Sequence, residues 1–133
     1  MYGALDISTS GMVAQRTRLT IISNNLANRD SILDADGNYA PSRRQFPVFS
    51  TGDGRGAERG VHVERIAEDD GPLRRKYDPT SPYADANGYV GFPNVHSVVE
   101  SMDAMEAARA YEANVSAAEA TKSMITVALQ LLG

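Results

Sequence analysis

Apolar residues in the first thirty positions recur at the spacing of an α-helix. One row repeats every seven positions: Leu5, Met12, Leu19 and Leu26. Three further residues follow members of this row at an interval of three: Ser8, Gln15 and Ile22. This is the a/d spacing of a helix that packs along a partner helix. We predict a helix over about residues 4–28, roughly 37 Å long at 1.5 Å per residue.

A second apolar row on the same helix widens the stripe enough to contact more than one neighbour. It consists of Ile7, Ala14 and Ile21. Gly11 lowers helix stability by up to about 1 kcal/mol relative to alanine, so we expect it to allow the close approach of another backbone unless it is simply tolerated. The helix should fray at Asn24 and Asn25 or end near Asn28, since asparagine competes for its own backbone. These asparagines are also suited to hydrogen bonds across a packed interface.

Proline and glycine divide the chain into three parts. All 6 prolines lie between residues 29 and 93, as do eight of the 11 glycines. Because these residues interrupt helices, the pattern predicts an N-terminal helix within residues 1–28, an extended middle segment over 29–93 and a C-terminal helix within 94–133. The predicted fold class is mainly α with a small β element, the two long terminal helices being paired as a coiled coil.

The middle segment contains short runs that are typical of β-strands. Residues 39–49 mix aromatic and apolar residues with two prolines, which indicates an extended or edge strand. Residues 60–66 alternate in polarity, a turn follows, and residues 73–77 return, so we predict one β-hairpin from these two runs. Asn87-Gly88 is a tight-turn signal.

After Pro93 the chain contains no proline and, until its last residue, no glycine. This predicts a second helix of roughly 57 Å that ends near Leu132. Asn94 or Ser97 is expected to cap it, with Glu100 at capping-box spacing from Ser97. Its apolar residues form a seam with one short step after Met105: Val98, Met102, Met105, Ala108, Tyr111, Val115, Ala118, Ile125, Leu129 and Leu132.

Charge and composition narrow the possible functions. The formal net charge is -4, which argues against nucleic acid as a partner because nucleic-acid-binding proteins usually present a basic face. The chain has no cysteine, so thiol catalysis, thiolate metal sites and disulfides are excluded. The most apolar tract, residues 124–132, is far shorter than the roughly 20 residues of a membrane-spanning helix, so we expect no membrane insertion.

Residues suited to catalysis or metal binding are sparse. The two histidines, His62 and His96, have no partner at metal-ligand spacing. Glu100, Asp103 and Glu106 lie on one helix face without an apolar pocket that would suit acid–base catalysis, so we interpret them as a solvated charge row. We expect no enzymatic activity, no cofactor, no metal and no small-molecule substrate. A carboxylate-based hydrolase is the enzyme alternative.

Several blocks of the sequence resemble the axial proteins of the bacterial flagellum. One block is similar to the N-terminal signature of rod and hook proteins: Ser10-Gly11-Met12-x-Ala14-Gln15-Arg16-x-Arg18-Leu19 and Asn24-Asn25-Leu26-Ala27-Asn28. The others are similar to the short subunits of the proximal rod in particular: Gly60-Val61-x-Val63-x-x-Ile66, Pro72-Leu73-Arg74-x-x-Tyr77-Asp78-Pro79, Gly88-Tyr89-Val90-x-x-Pro93-Asn94-Val95 and Ala108-Arg109-x-Tyr111-Glu112-Ala113-Asn114-Val115. The resemblance spans nearly the whole chain.

This resemblance implies that the terminal helices pair as the inner tube of a rod, with the middle segment outside. It implies an assembly seam on the two helices: Leu5, Met12, Gln15, Leu19, Ile22, Asn25, Leu26, Asn28, Met105, Ala108, Tyr111, Asn114, Val115, Ala118, Ile125 and Leu129. The second row would then face neighbouring subunits: Ile7, Ala14 and Ile21. A middle-segment motif is also implied: Tyr77, Asp78, Pro79, Gly88, Tyr89, Val90, Pro93 and Asn94.

The function that the resemblance implies is mechanical. The chain would assemble helically into a drive shaft that transmits motor torque and encloses the export channel. Its implied partners are other copies of itself, the rod proteins FlgB, FlgF, FlgG and FliE, and the MS-ring protein FliF. The N-terminus has neither a basic region nor an apolar core, which fits flagellar type III export, without a cleaved signal, to the rod in the periplasmic space. The alternative is a coiled-coil adaptor or type III-exported effector that binds one partner helix.

Overall fold

The computed structural model describes residues 2–56 and 58–133, so Met1 and Ala57, which the predicted ranges include, lie outside the described residues. The elements in chain order are α1 (Tyr2–Ala27), β1 (Gln45–Thr51), β2 (Val61–Glu68), β3 (Arg74–Tyr77), β4 (Tyr89–Phe92) and α2 (Ser97–Leu132). The prediction of two long helices around a middle segment with a small β element is confirmed. The helices form where the chain has no proline and almost no glycine, because nothing interrupts their backbone hydrogen bonds.

The two helices run antiparallel and pack against each other. Three pairs of neighbours define their alignment: Asn25 with Glu100, Arg18 with Glu106, and Gly11 with Asn114. Each step of seven residues back along α1 thus corresponds to six to eight residues forward along α2. At this alignment the start of α1 lies opposite about residue 123. The last residues of α2, 124–132, therefore extend beyond α1, and we name this segment the C-terminal overhang.

The face that α1 buries differs from the predicted seam. The buried residues of α1 are Ser8, Gly11, Ala14, Ile21, Ile22 and Asn25. Of the predicted seven-residue row, Leu5, Met12 and Leu19 are only half-buried and Leu26 is exposed. The row therefore lies at the flank of the helix pair, where it keeps part of its apolar surface uncovered. Two other seam residues also lie outside the buried face: Gln15, which is half-buried, and Asn28, which is exposed.

The row predicted to face neighbouring subunits is largely covered within the subunit. Ala14 is 2% and Ile21 is 4% exposed, whereas Ile7 remains exposed. The prediction is wrong for Ala14 and Ile21 because the β1–β2 pair packs against a second side of α1, with Val61 N donating to Ser10 Oγ at 3.1 Å. Helical periodicity shows which face is apolar, but not which element covers it.

On α2, small side chains face α1. Ala107 is fully buried, and its neighbours along the same face are half-buried: Ala104, Ala108, Ala110, Asn114, Val115 and Ala118. In the C-terminal overhang, Ile125 and Ala128 are also half-buried. Three larger residues of the predicted seam, Met105, Tyr111 and Leu129, are instead exposed. Small residues at the contact allow the helix axes to approach closely, so alanine lines the interface and the larger apolar residues lie outside it.

The middle segment contains two antiparallel strand pairs, β1 with β2 and β3 with β4. The β1–β2 register shifts between Val48 and Phe49. The predicted pairing of residues 60–66 with residues 73–77 is therefore wrong. The turn between them exists, since Gly71 N donates to Asp69 Oδ1 at 2.8 Å, but it redirects the chain instead of folding it back. Polarity alternation identifies a strand without identifying its partner.

Candidate assembly site

Five polar residues meet where the two helices and the start of β1 come together. We name this cluster the polar junction: Asn25, Arg44, Gln45, Asn94 and Glu100. Its members come from α1, from the chain around the start of β1, from the segment before α2 and from α2 itself. Asn25, Asn94 and Glu100 are buried, and Arg44 is half-buried. Every one of them takes part in a hydrogen bond to another member, as buried polar groups require.

Asn25 joins α1 to the first residue of β1. Its Nδ2 donates to Gln45 O at 2.8 Å, and Gln45 N donates to its Oδ1 at 3.0 Å. The side-chain amide thus forms the same two bonds that a neighbouring strand residue would form. The predicted use of an asparagine across a packed interface is confirmed at Asn25, while the helix continues to Ala27 without fraying at this position.

Asn94 holds the chain before α2 against one end of the β1–β2 pair, where it contacts both strands' flanking residues. Its Oδ1 accepts from Arg44 N at 2.9 Å, and its Nδ2 donates to Asp69 O at 3.1 Å. The prediction that Asn94 or Ser97 caps α2 is wrong. The N-cap is His96, which forms no side-chain capping bond, because the Asn94 side chain is used to fix the chain instead.

Glu100 is fully buried, at 0% exposure. Its carboxylate accepts from Arg44 Nε and lies 3.4 Å from Asn25 Nδ2. The predictions of a capping box and of a solvated charge row are therefore wrong for this residue. A buried carboxylate needs a paired cation, and sequence spacing gave no signal of Arg44, which lies 56 residues away.

The other two acids of the predicted row extend this pairing toward the surface. Asp103 Oδ2 lies 3.3 Å from Arg44 Nη2, and Glu106 Oε2 lies 3.4 Å from Arg18 Nη2. Arg18 and Arg44 are both half-buried, so their charges are only partly screened by solvent. Arg18, on α1, and Arg44, directly before β1, thus connect these elements to successive turns of α2.

Large apolar side chains lie exposed on the side of α2 that faces away from α1. At its start, Val98, Met102 and Met105 are 74%, 64% and 58% exposed, and their spacing places them on one face. We name these three residues the outer stripe. At the other end of α2, the C-terminal overhang has five residues that are each more than half exposed: Met124, Val127, Leu129, Leu131 and Leu132. Exposed apolar surface of this kind is typical of interaction sites.

The middle-segment motif folds the β3–β4 element. Gly88 has a positive φ of 83°, and a Cβ there would lie 2.9 Å from the Tyr77 ring, so both the turn and the close approach require glycine. Tyr77 and Tyr89 pack edge to face with ring centroids 5.3 Å apart. The rest of the motif divides between the turn, at Asp78 and Pro79, and the buried chain that leads to α2, at Val90, Pro93 and Asn94.

Asp85, which the sequence did not single out, closes this turn. Its Oδ1 accepts from Tyr89 N and Asn87 N, each at 2.9 Å, and its Oδ2 accepts from Arg75 Nη2 at 2.7 Å. The hydrogen bond from the backbone N–H of Tyr89 lowers the pKa of Asp85 below its ordinary value, and the backbone N–H of Asn87 and the Arg75 guanidinium lower it further.

We expect the turn at Asp85 to open in acid. Because its pKa is lowered in the folded chain, the stabilisation is complete above the ordinary aspartate pKa and is lost as the pH falls through the folded pKa. Amide NMR shifts of Asn87 and Tyr89 should move together along this titration. In an Asp85→Asn variant, which keeps an acceptor oxygen but has no proton to bind, the same two shifts should stay constant. Shifts that titrate equally in both proteins would contradict the assignment.

Neither a metal site nor a membrane span is found in residues 2–56 and 58–133. No group of three or more histidine, aspartate or glutamate side chains there is placed to hold a metal ion. Over the same residues, no helix has the length and apolar character needed to cross a bilayer.

Two family models match the ends of the chain. The model described as "Flagella basal body rod protein" matches residues 5–30, and the model described as "Flagellar basal body rod FlgEFG protein C-terminal" matches residues 86–131. The first covers most of α1, and the second covers β4 and nearly all of α2. The matched regions thus include both helices whose surfaces are described above.

Curated relatives are similar over almost the whole length. The chain is 39% identical over 146 residues to the flagellar basal-body rod protein FlgC of Bacillus subtilis, covering 98% of this chain and 97% of the relative. It is 41% identical over 132 residues to FlgC of Salmonella typhimurium, with the same coverage of 98% and 97%. It is 42% identical over 126 residues to FlgC of Aquifex aeolicus, covering 93% and 91%.

Proposed function

This chain belongs to the FlgC family of flagellar basal-body rod proteins, and we propose that it is a subunit of the proximal rod that assembles helically through its terminal helices. As a member of this family it is a structural subunit of the flagellar basal body and not an enzyme. It assembles there with other basal-body proteins. The proposed role is that of a drive shaft, which transmits motor torque and encloses the export channel.

The exposed apolar surface of α2 carries this proposal. The outer stripe and the C-terminal overhang lie at opposite ends of one 36-residue helix, and neither is covered by α1. A subunit with two different exposed apolar surfaces at its two ends is suited to heterologous contacts. Such contacts extend into a helical filament when they do not close into a ring. The observed arrangement therefore suits a shaft better than a closed pair.

Part of the assembly seam supports the same proposal from α1. Leu5, Met12 and Leu19 are half-buried and Leu26 is exposed, so this row has apolar surface left for a neighbour after α2 has packed. Ile7 is also exposed and remains a proposed contact with an adjacent subunit. Ala14 and Ile21 are excluded from that role because their own subunit covers them.

The finer setting follows from the same premise. We place the subunit in the rod within the periplasmic space, exported by the flagellar type III apparatus without a cleaved signal. Its proposed partners are copies of itself, FlgB, FlgF, FlgG and FliE, and the MS-ring protein FliF. Torque would pass through its closely packed helices, which deform little because packed interiors have low compressibility.

Polar substitution of the outer stripe tests the proposal. In a motile strain that relies on the variant, we expect Val98→Ser/Met102→Gln/Met105→Gln to reduce rod incorporation about tenfold or more and to abolish swimming. These side chains are largely exposed in the isolated subunit, so the substitutions should leave its fold intact. In a rod, however, they would be buried against a neighbouring subunit. Incorporation is measured by immunoblot of isolated basal bodies.

An Ile66→Gln variant is the matched control. Ile66 is also more than half exposed, but it lies on β2 and outside the terminal helices, so we expect normal incorporation. Far-UV circular dichroism of the purified triple variant should match the wild type. Normal swimming of the triple variant would refute assembly through this stripe, and a small defined complex with a single soluble partner would favour the adaptor alternative.

A further inference from the structure

A buried ion pair lies where α1, α2 and β1 meet. Glu100 is fully buried, and its carboxylate accepts hydrogen bonds from Arg44 and Asn25. Replacing such a pair by apolar residues of similar size often leaves a protein equally stable or more stable. Stability alone therefore gives little reason for the pair. The best-attested use of a buried polar group between helices is to select one register over others.

The rest of the helix interface distinguishes poorly between registers. Ala104, Ala107 and Ala110 recur every three residues on the side of α2 that faces α1. A shift of α2 by three residues that brings Ala107 to the place of Ala104, about 4.5 Å along its axis, replaces alanine by alanine at all three places. The same shift brings Ala117 opposite Gly11 in place of Asn114, and the smaller side chain fits there. Because alanine side chains form only shallow ridges, the packing of ridges into grooves discriminates weakly between these two registers.

The polar junction distinguishes these registers strongly. A three-residue shift in one direction brings Ser97 to the position of Glu100, and serine is too short to reach the guanidinium of Arg44. A shift in the other direction brings Asp103, whose side chain is one methylene shorter, and carries Glu100 away from its partners. In either case Glu100 leaves its fully buried place and loses its bond from Arg44 Nε and its contact with Asn25 Nδ2, which is unfavourable, and another acid of the row takes the place of Asp103 beside Arg44 Nη2.

We propose that the Arg44–Glu100 pair is a register pin, which holds α2 at one axial position relative to α1. Because Gln45 next to Arg44 forms two bonds with Asn25, the same contact fixes the β1–β2 pair relative to both helices. The pin sets the distance by which the C-terminal overhang extends beyond α1. This inference goes beyond the proposed function, since it rests on the contacts of one chain.

Disulfide trapping can read the register directly, because the chain has no native cysteine. Gly11→Cys/Asn114→Cys reports the observed register, since a Cβ at position 11 would lie 2.8 Å from Asn114 Cγ and the pair is within reach of a disulfide. Gly11→Cys/Ala117→Cys and Gly11→Cys/Tyr111→Cys report shifts in the two directions. Both are made with Asn114→Ala, so that position 11 has room in every reporter.

The test compares each reporter with and without Arg44→Met/Glu100→Leu in the purified full-length chain. With the pin present, we expect the observed-register disulfide to dominate. With the pin replaced by apolar residues, we expect the ratio of shifted to observed-register disulfide to rise about tenfold. The matched control is Arg75→Met/Asp85→Asn, which removes a solvent-exposed ion pair of the β3–β4 element and should leave the ratio unchanged.

An unchanged ratio in Arg44→Met/Glu100→Leu overturns the register pin, and so does an equal rise in the control. If the double variant forms neither disulfide, Glu100→Gln, which conserves volume, decides by the same ratio. The ratio is informative even where the helices pair only part of the time. Because it is read on isolated chains, failure of the pin and failure of rod assembly are separate results.

Discussion

Arg44→Met is expected to lower the free energy of unfolding by about 3–5 kcal/mol, the range found when one partner of a buried ion pair is removed. Glu100, at 0% exposure, would lose the guanidinium that donates to it and keep Asn25 Nδ2, at 3.4 Å, as a polar neighbour. Methionine fills the space of the arginine stem, so the loss reports the unpaired charge and not a cavity. Urea unfolding followed by circular dichroism measures it.

Adding Glu100→Leu to this variant should restore most of the lost stability, because the buried charge is then removed together with its partner. The control is Arg75→Met, whose partner Asp85 and whose own side chain are both more than 40% exposed. Exposed pairs contribute about 1 kcal/mol or less. A loss in Arg44→Met no larger than that in Arg75→Met would show that Glu100 is not held as a buried ion.

Gly11→Ala is expected to destabilise the chain by up to about 2 kcal/mol in spite of the better helix propensity of alanine. The propensity gain is up to about 1 kcal/mol. Against it, the new Cβ would lie 2.7–2.8 Å from three side-chain atoms of Asn114, and overpacking of a buried site costs about 1–3 kcal/mol. Moving Asn114 aside would also break its bond to Ala110 O.

The sign of this effect should reverse in an Asn114→Ala background. There the Cβ at position 11 has room, so Gly11→Ala should gain up to about 1 kcal/mol from helix propensity. The four proteins form a double-mutant cycle, and urea unfolding of each gives the coupling energy between the two positions. A cycle with no coupling would mean that the helices do not approach at Gly11 as closely as the structure shows.

These two contacts bear on the rod as well as on the subunit. Gly11 allows α1 and α2 to lie close together, and the polar junction ties the pair to β1. In the proposed torque-transmitting role the subunit must not shear internally. Close packing at Gly11 and the proposed register pin, Arg44–Glu100, would both resist such shear. The outer stripe is then free to contact neighbours without a role in the fold of its own subunit.

Much of the fold could be predicted because its signals are local. The absence of proline and the near absence of glycine from the chain ends are enough to predict both helices, since without proline every backbone hydrogen bond of a helix remains possible. Asn87-Gly88 predicted its turn for the same reason, as Gly88 alone supplies the positive φ that the turn needs. The resemblance of local blocks to flagellar axial proteins is likewise a property of the sequence.

The site was predicted less well because its signals are not local. The row formed by Leu5, Met12, Leu19 and Leu26 has the larger apolar side chains, yet it is only partly covered. Ala14 and Ile21 are buried instead, because β1 and β2 cover a second face of the helix. Glu100 had the spacing of a capping residue and instead pairs with Arg44. The polarity of residues 60–66 and 73–77 predicts two strands correctly, but their pairing with each other is wrong, since alternation carries no information about partners.

The sequence by itself determined two long helices, a proline- and glycine-rich middle segment and the family, because each of these depends on residues that are close together in the chain. Only the tertiary structure decided which helix faces are buried, which strands pair and which charges meet. Those outcomes depend on contacts between distant residues, such as the 75 residues that separate Asn25 from Glu100. Such contacts are selected by the burial of whole surfaces and not by local propensity.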